Sequence, residues 1–524
     1  MIFMSFFLLT PFWRHSTLAP MSSGLPSIIH RFAPFVAAIF FAAVLAAQAQ
    51  ESIEPDVLPS LAEPSASSAE AQPSTSAEPL PTLAQSSPSA PAEPLPSSAE
   101  SLPSSEQAFP STPEPLSSST NYTTAQTNVV PAPVPAGPYG QVGKNVFPGG
   151  ETISSSEPRR FHYELRLTVR GVWDDNIFIS HTDRVSDYYF AIEPQITIGV
   201  GDMEGRNRSY LRLDYMPSAI LFVDHSDEDA FNQLIHLEGG YSTGRLRLSL
   251  MEDIALLESA NLNSLVDTTG LWANTDASAP TRVNIFDTRL RAQYDLSGKV
   301  YLQGEVDSSI LFYPNHISSY TLSGGLYIYY NWLPKVSVGI GGTAGYDWVD
   351  EPTTDQTFEQ VNLRLNYQVT AKFNLYASGG VEFRQFDGER GEYTSPVFEV
   401  GLIHHPFYGT TFTLAAGRRI YNSGFLDNQD FATTYIVGRF QQRLFSRVYF
   451  GFGGGYENSD YFATSRNVNS PRDDDYWFIE PSVDVLITRW LSTGVYYLHR
   501  QDVSSVDFFS FYDNQVGVRA TLRF

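Results

Sequence analysis

Phe161-His162-Tyr163-Glu164-Leu165-Arg166-Leu167-Thr168-Val169-Arg170 is the stretch from which the fold can be read. Successive side chains of an extended strand point to opposite sides. Tyr163, Leu165, Leu167 and Val169 therefore share one face, and Glu164, Arg166, Thr168 and Arg170 share the other. The same pattern returns at 287–294, where Thr288, Leu290, Ala292 and Tyr294 alternate with Asp287, Arg289, Arg291 and Gln293. It returns again at 361–368, where Val361, Leu363, Leu365 and Tyr367 alternate with Asn362, Arg364, Asn366 and Gln368. A soluble sandwich also alternates, with one face on a dry core. These segments run to about 12–15 residues, whereas soluble strands usually have five or six. Their polar face carries full charges and glycines, which suits a wet lumen. The pattern predicts a closed antiparallel transmembrane β-barrel over 159–524.

The connections alternate as well. Short links at Ser242-Thr243-Gly244, Leu296-Ser297-Gly298, Thr370-Ala371, Leu444-Phe445-Ser446 and Thr488-Arg489 take turns with longer ones at Asp174–Ser186, Asn261–Thr281, Asp387–Glu392 and Glu457–Asp474. Bacterial barrels keep short turns on the periplasmic side and long loops outside. About 18 strands fit this rhythm, with both ends of the barrel periplasmic; a 16-strand layout survives if two segments are not strands. After the leader, no apolar run of about 20 residues offers a transmembrane helix.

The last strand ends at the C-terminal carboxylate. Phe524, Leu522, Ala520, Val518 and Val516 face one way, and Arg523, Thr521, Arg519, Gly517 and Gln515 the other. A terminal Phe on an alternating strand resembles the signal that outer-membrane barrel assembly machinery reads, with Gly517, Leu522 and Phe524 as its elements. Trp173, Tyr188, Tyr189, Phe312, Tyr330, Trp332, Trp348, Phe373, Phe450, Trp477 and Trp490 lie near strand ends, where amphipathic rings suit a bilayer interface. Pro194, Pro217, Pro396 and Pro481 fit the pattern worst, and local bulges or bends are expected there.

Upstream, His30 and Arg31 precede the apolar run Ala33–Ala47, which closes on Ala47-Gln48-Ala49. A basic region, a short apolar core and small residues at −3 and −1 describe a signal peptide cleaved after Ala49. Met21 is an alternative start. Residues 50–158 are rich in Pro, Ser, Ala and Glu, with about a dozen acidic residues against Lys144. Such a segment lacks the apolar mass to offset its ordering entropy, so a disordered periplasmic tail is expected, either a spacer or an arm for a periplasmic partner. The net charge of −24 speaks against a nucleic-acid partner, and the absence of cysteine removes disulfides and thiolate metal sites.

Gly171-Val172-Trp173-Asp174-Asp175-Asn176-Ile177-Phe178 closes the first strand. An Asp-Asn-Ile-Phe stretch there, with an exported barrel and a C-terminal Phe, resembles the putative β-barrel porins, some linked to exopolysaccharide loci. The resemblance covers about 159–524. It implies an outer-membrane pore and brings no catalytic residues.

No phosphate loop, metalloprotease motif, serine elbow or dinucleotide fingerprint occurs in the chain. Gly451–Gly455 fits strand bending. His404-His405 falls at a periplasmic end and would bind metal only with partners the sequence does not show. The acid clusters Asp227–Asp229 and Asp473–Asp475 could hold Ca²⁺ or bridge lipopolysaccharide cations but read better as solvated loop charge, and no metal or cofactor is expected. His181 near Asp183, His225 near Asp224, and His499 are the candidates an outer-membrane hydrolase would need, and none has a specific partner in sequence. The expectation is a non-enzyme: a porin-like channel for small polar solutes or saccharides, held in outer-membrane lipid. The alternative is a non-catalytic barrel of an exopolysaccharide export or envelope assembly complex. The strand phase makes Arg166, Arg170, Arg212, Arg245, Arg247, Arg289, Arg291, Arg364, Arg384, Arg439 and Arg519 pore-lining, with Glu164, Asp214, Asp287, Glu305, Asp307, Glu382 and Asp484 opposing them. These charges either select solutes or pair across strands to support the wall. A plug is also foreseen, from Asn261–Thr281 or from Val129–Phe147.

Overall fold

The computed structural model describes residues 161–201, 209–259, 276, 281–370, 372–387, 391–465, 468 and 472–524. The signal peptide, the tail, the segment Val129–Phe147 and, apart from Asp276 and Thr281, the segment Asn261–Thr281 lie outside the described residues. Eighteen strands follow one another in chain order. They are β1 Phe161–Asp174, β2 Asp187–Gly201, β3 Tyr210–Phe222, β4 Ala230–Thr243, β5 Leu246–Leu257 and β6 Val283–Asp295. Next come β7 Val300–Phe312, β8 Ser319–Leu333, β9 Val336–Val349, β10 Gln356–Thr370, β11 Phe373–Phe386 and β12 Glu392–His404. The last are β13 Thr410–Asn422, β14 Gln429–Leu444, β15 Val448–Ala463, β16 Asp473–Leu486, β17 Leu491–Ser504 and β18 Phe511–Arg523. Each pairs antiparallel with its neighbour in sequence, and β1 pairs with β18 from Arg166↔Arg523 to Asp174↔Gln515, closing the barrel. The 18-strand layout is the one observed.

The two ends of the barrel differ as the link lengths foretold. At the end holding both barrel termini, Gly244-Arg245 joins β4 to β5 and Pro334-Lys335 joins β8 to β9. At the other, the β5–β6 connection takes all of 258–282. We call these the turn end and the loop end. One expected loop is shorter than 457–474, because β15 continues to Ala463 and the acid run Asp473–Asp475 opens β16.

Ladder register carries the sequence phase round the wall. The apolar set Tyr163, Leu165 and Val169 is exposed on the outside, as are Leu326, Ile328, Val361 and Leu363 further round. A continuous exposed apolar belt on a closed sheet is a surface for lipid. Tyr330, Trp332 and Trp490 stand outward near the turn end, and Tyr188 and Trp348 near the loop end. Tyr189 departs from its expected place: it faces inward and is buried, packed on Phe222, because it is one residue out of phase with Tyr188.

The prolines do not make bulges. The β2–β3 ladder has pairs Ile192↔Ala219 and Ile196↔Tyr215 with the same register on either side, so Pro194 and Pro217 face one another across a gap. Rungs are lost without a residue being inserted. The same holds at Pro481, where the β16–β17 ladder skips from Ile479↔His499 to Ser482↔Tyr496. The recorded register shifts lie instead near the turn end, at Asn331/Leu333 and Gln368/Thr370.

In β18, Val516, Val518 and Ala520 are exposed outward, as is Phe524 just beyond it, and Gly517 faces in, under the ring of its cross-strand partner Tyr496. A Cβ on Gly517 would lie 2.2 Å from Tyr496 Cζ. Gly517→Ala is therefore expected to slow assembly by steric conflict, and adding Tyr496→Ser should restore it. Folding yield by heat-modified gel mobility measures this. A double variant as poor as the single would show that Gly517 is read by the assembly machinery and not by Tyr496.

Candidate functional site in the lumen

The inward faces carry the charges predicted to line a pore, and most are paired within the wall. Arg170 donates to Glu193 at 2.7 and 3.2 Å, Arg247 lies 2.6 Å from Asp295, and Arg519 donates twice to Asp484 at 2.8 Å. Glu164 pairs with Arg166 and, at 3.1 Å, with Arg523. Arg212 meets Asp214 at 2.7 Å, and Arg439 comes within 3.9 Å of Glu480. Arg245 stands exposed in the two-residue turn between β4 and β5, off the lumen wall. The turn is tighter than the strand phase assumed, so alternation does not reach it.

At mid-depth, Arg364 grips Glu305 with two hydrogen bonds at 2.7 and 2.9 Å and lies 3.4 Å from the centroid of the Tyr327 ring. Arg291 approaches the same carboxylate at 3.6 Å, and Arg289 is the ladder partner of Asp307. Arg419 of β13 sits 3.4 Å from Glu399 of β12, whose carboxylate also feels Arg289, Arg364 and Arg291. Guanidinium groups from β6, β10 and β13 thus converge on one level of the lumen. Glycine makes room for them: a Cβ on Gly325 would sit 2.8 Å from Glu305 Cγ.

The loop end is occupied. The β12–β13 ladder stops at Phe398↔Arg418, and among the described residues no pairing joins 392–397 to 419–422. Beyond that point β13, β14 and β15 curl into the barrel. On the outer face of β14, Ile436 is 47% exposed, yet Ala432, four residues nearer the loop end, is 0% exposed. Asp430, next on that face, reaches Arg384 of β11 at 3.5 Å and Gln356 of β10 at 3.4 Å. Phe462 of β15 stacks on Tyr393 of β12 at 4.0 Å. What began as the outside of the wall now lies against its inside.

The tip of this hairpin crosses further. Gly424 accepts from the Ile317 amide at 2.9 Å, in the β7–β8 loop. Phe425 packs on Tyr313 and, like Leu311, lies against an inner apolar patch that includes Met216, Leu234, Leu257 and Ile285 of β3–β6. Asp276 of the β5–β6 connection accepts from Ser423 Oγ at 2.9 Å, the Gly424 amide at 2.9 Å and the Tyr461 hydroxyl at 3.0 Å. Burial pushes the Asp276 carboxyl up, although Arg472 at 3.6 Å opposes this. Within the connection foreseen as a plug, Asp276 is thus anchored on the tip of the folded-in hairpin and on Tyr461 of β15. From the β1–β2 side, Ile179 lies on Tyr476, Phe478, Leu498 and Phe511 of β16–β18.

Arg384 joins the two systems. It donates to Glu382 at 2.8 Å and Asp347 at 3.0 Å besides Asp430, and all four side chains are buried. Asp347, Asp430, Glu399, Arg419 and Asp276 escaped the sequence reading, since their partners are set by register and by the curl. The hydrolase candidates are not brought together: His181 and Asp183 are exposed, His225 pairs with Asp187 at 2.9 Å, and the His499 ring lies tilted against Trp477 with centroids 4.7 Å apart.

No family model matches the chain, and no curated protein matches it. Among solved structures it is similar to the outer membrane protein OpdK of Pseudomonas aeruginosa, with 11% identity and a TM-score of 0.36, over 69% of this chain and 98% of that one. Acinetobacter baumannii OccAB3 is similar at 12% identity and a TM-score of 0.36, over 69% of this chain and 99% of that one. The closed 18-strand barrel accords with the resemblance to the putative β-barrel porins.

Proposed function

We propose that this barrel is an outer-membrane channel for passive diffusion of small polar solutes or saccharides. Its loop end faces outward and the tail hangs in the periplasm. The observation that carries the reading is the arrangement of charge: apolar side chains outside, and inside a level at which guanidinium and carboxylate groups from facing walls meet. Such a level admits water and polar solutes and orients dipoles.

In most of the pairs the arginine is the more exposed partner, exceptions including Glu164 with Arg166 and Arg523, and Asp295 with Arg247. Side-chain exposure is 27% for Arg212 against 1% for Asp214, and 29% for Arg439 against 7% for Glu480. The surface a solute meets is therefore cationic, and anions should be favoured. Single-channel recording of the refolded mature chain tests both points. We expect small, stable steps and a reversal potential on the anion side in asymmetric salt. Arg439→Gln should move that potential toward the cation side. A folded barrel that never conducts would overturn the channel reading. It would favour the second one, a barrel of an export or assembly complex, which the hairpin across the lumen also suits.

A further inference from the structure

The residues that carry the family resemblance sit where the barrel closes. Asp174 ends β1, Asp175 and Asn176 follow it, and Asp513 is the third residue of β18. One carboxylate oxygen from each of Asp174, Asp175 and Asp513 lies within 4.8 Å of the others. Asp174 and Asp513 are both 0% exposed, and both accept from the same Gln515 Nε2.

Each carboxylate is oriented by donors around its edge. Asp174 accepts from the Asn176 amide at 2.8 Å and from Gln515 Nε2 at 3.0 Å. Asp513 Oδ2 takes Arg500 Nε at 2.5 Å and Gln515 Nε2 at 3.1 Å. Asp175 takes the amide and side chain of Asn514 at 2.7 and 2.8 Å, with Arg184 at 3.3 Å. One oxygen is left over: Asp513 Oδ1 is buried and, among the described residues, has no hydrogen-bond partner. A buried anionic oxygen pressed toward a second buried carboxylate costs free energy unless something positive stands between them.

We propose that Asp174, Asp175 and Asp513 bind a divalent cation of calcium size, which clips the first strand to the last at the loop end. The donor set is all carboxylate, the choice of a hard cation. Calcium–oxygen distances of about 2.3–2.6 Å let two ligands on one ion stand roughly 5 Å apart, whereas magnesium at about 2.0–2.1 Å holds them nearer 4 Å. Oxygens within 4.8 Å of one another are inside the reach of one calcium ion, which takes carboxylates directly where magnesium keeps several waters. Arg500 and Arg184 offset part of the charge of three carboxylates, and a divalent ion supplies the rest. Asp175, half-buried, is the side from which the ion enters.

The test uses the whole mature chain refolded in a zwitterionic detergent, so that no lipid phosphate competes. Terbium(III) is titrated in and read by luminescence sensitised by nearby tyrosines, then displaced with calcium. The temperature of heat modification is followed in calcium and in chelator. We expect calcium to raise that temperature and to displace terbium. Asp513→Asn and the milder Asp175→Asn should both abolish the rise, and Asp227→Asn, in an exposed acid cluster elsewhere, should leave it unchanged. A rise that persists in both seam variants would overturn the proposal by placing the ion elsewhere. So would no calcium effect with Asp513→Asn more stable than the parent, which would mean the two carboxyls share a proton instead.

Discussion

Replacing residues 420–432 with an Asn-Gly turn should raise single-channel conductance several-fold. The excision joins Arg419 to Thr433, which are ladder partners, so the pairing below the cut is retained. Asn-Gly supplies the two positive-φ positions a two-residue hairpin turn needs. What is removed is the part of the wall that lies inside the barrel: Ile420, Ala432, Asp430 and the tip with Phe425. Conductance depends on the narrowest cross-section, and this hairpin spans from β10–β12 on one side to the β3–β6 patch on the other. Phe425→Asp offers a gentler version. A carboxylate cannot dock on Met216, Leu234 and Leu257 without large desolvation cost, so the tip should leave its seat and the channel should fluctuate between small and larger steps. Unchanged conductance in both variants would place the limiting constriction elsewhere, with the arginine level at mid-depth as the next place to look.

That hairpin shows where sequence reading ends. The ladders of β13–β14 and β14–β15 run to the loop end, and enough alternation survives there for the strands themselves to be legible. Period-two patterning tells which side of its own sheet a residue takes. It does not tell whether the sheet stays on the circle or curls within it, because a curl keeps the phase and changes only what the face meets. One trace was present. Asp430 and Ala432 stand in the lipid-facing phase of β14, where a charge and a methyl group suit lipid poorly, and both turn out to be buried against protein. The charge pairs were half legible for a similar reason. Neighbours within a strand, such as Arg212 and Asp214, can be read directly, whereas Arg364–Glu305 and Arg384–Asp347 need register across several strands. Arg245 was misplaced because a two-residue turn interrupts the phase at a point that sequence alone fixes only to within a residue or two. The closure of the barrel was the most legible feature, since the alternating strand at each end of 161–524 could pair only with the other once the rest were laid side by side.

Arg384→Met should be among the most destabilising single substitutions in the chain, at about 3–5 kcal/mol. The guanidinium is bonded to Glu382 and Asp347 and lies near Asp430, and none of these carboxylates has access to water. Removing the cation leaves buried negative charge without compensation, which costs far more than the pair contributes when intact. Adding Glu382→Gln, Asp347→Asn and Asp430→Asn should therefore recover most of the loss, although it restores no ion pair. Denaturant unfolding of each variant in the same detergent gives the free energies. The two predictions also meet. Asp430 reaches Arg384 only because the hairpin is folded in, so the excised variant carries one buried carboxylate fewer around that cation. Arg384→Met should then cost measurably less in the excised background than in the full chain, and the difference is the coupling between the hairpin and the wall. Equal costs in the two backgrounds would mean that Asp430 contributes nothing to holding the hairpin in, leaving the Phe425 seat and the Asp276 anchor to do so.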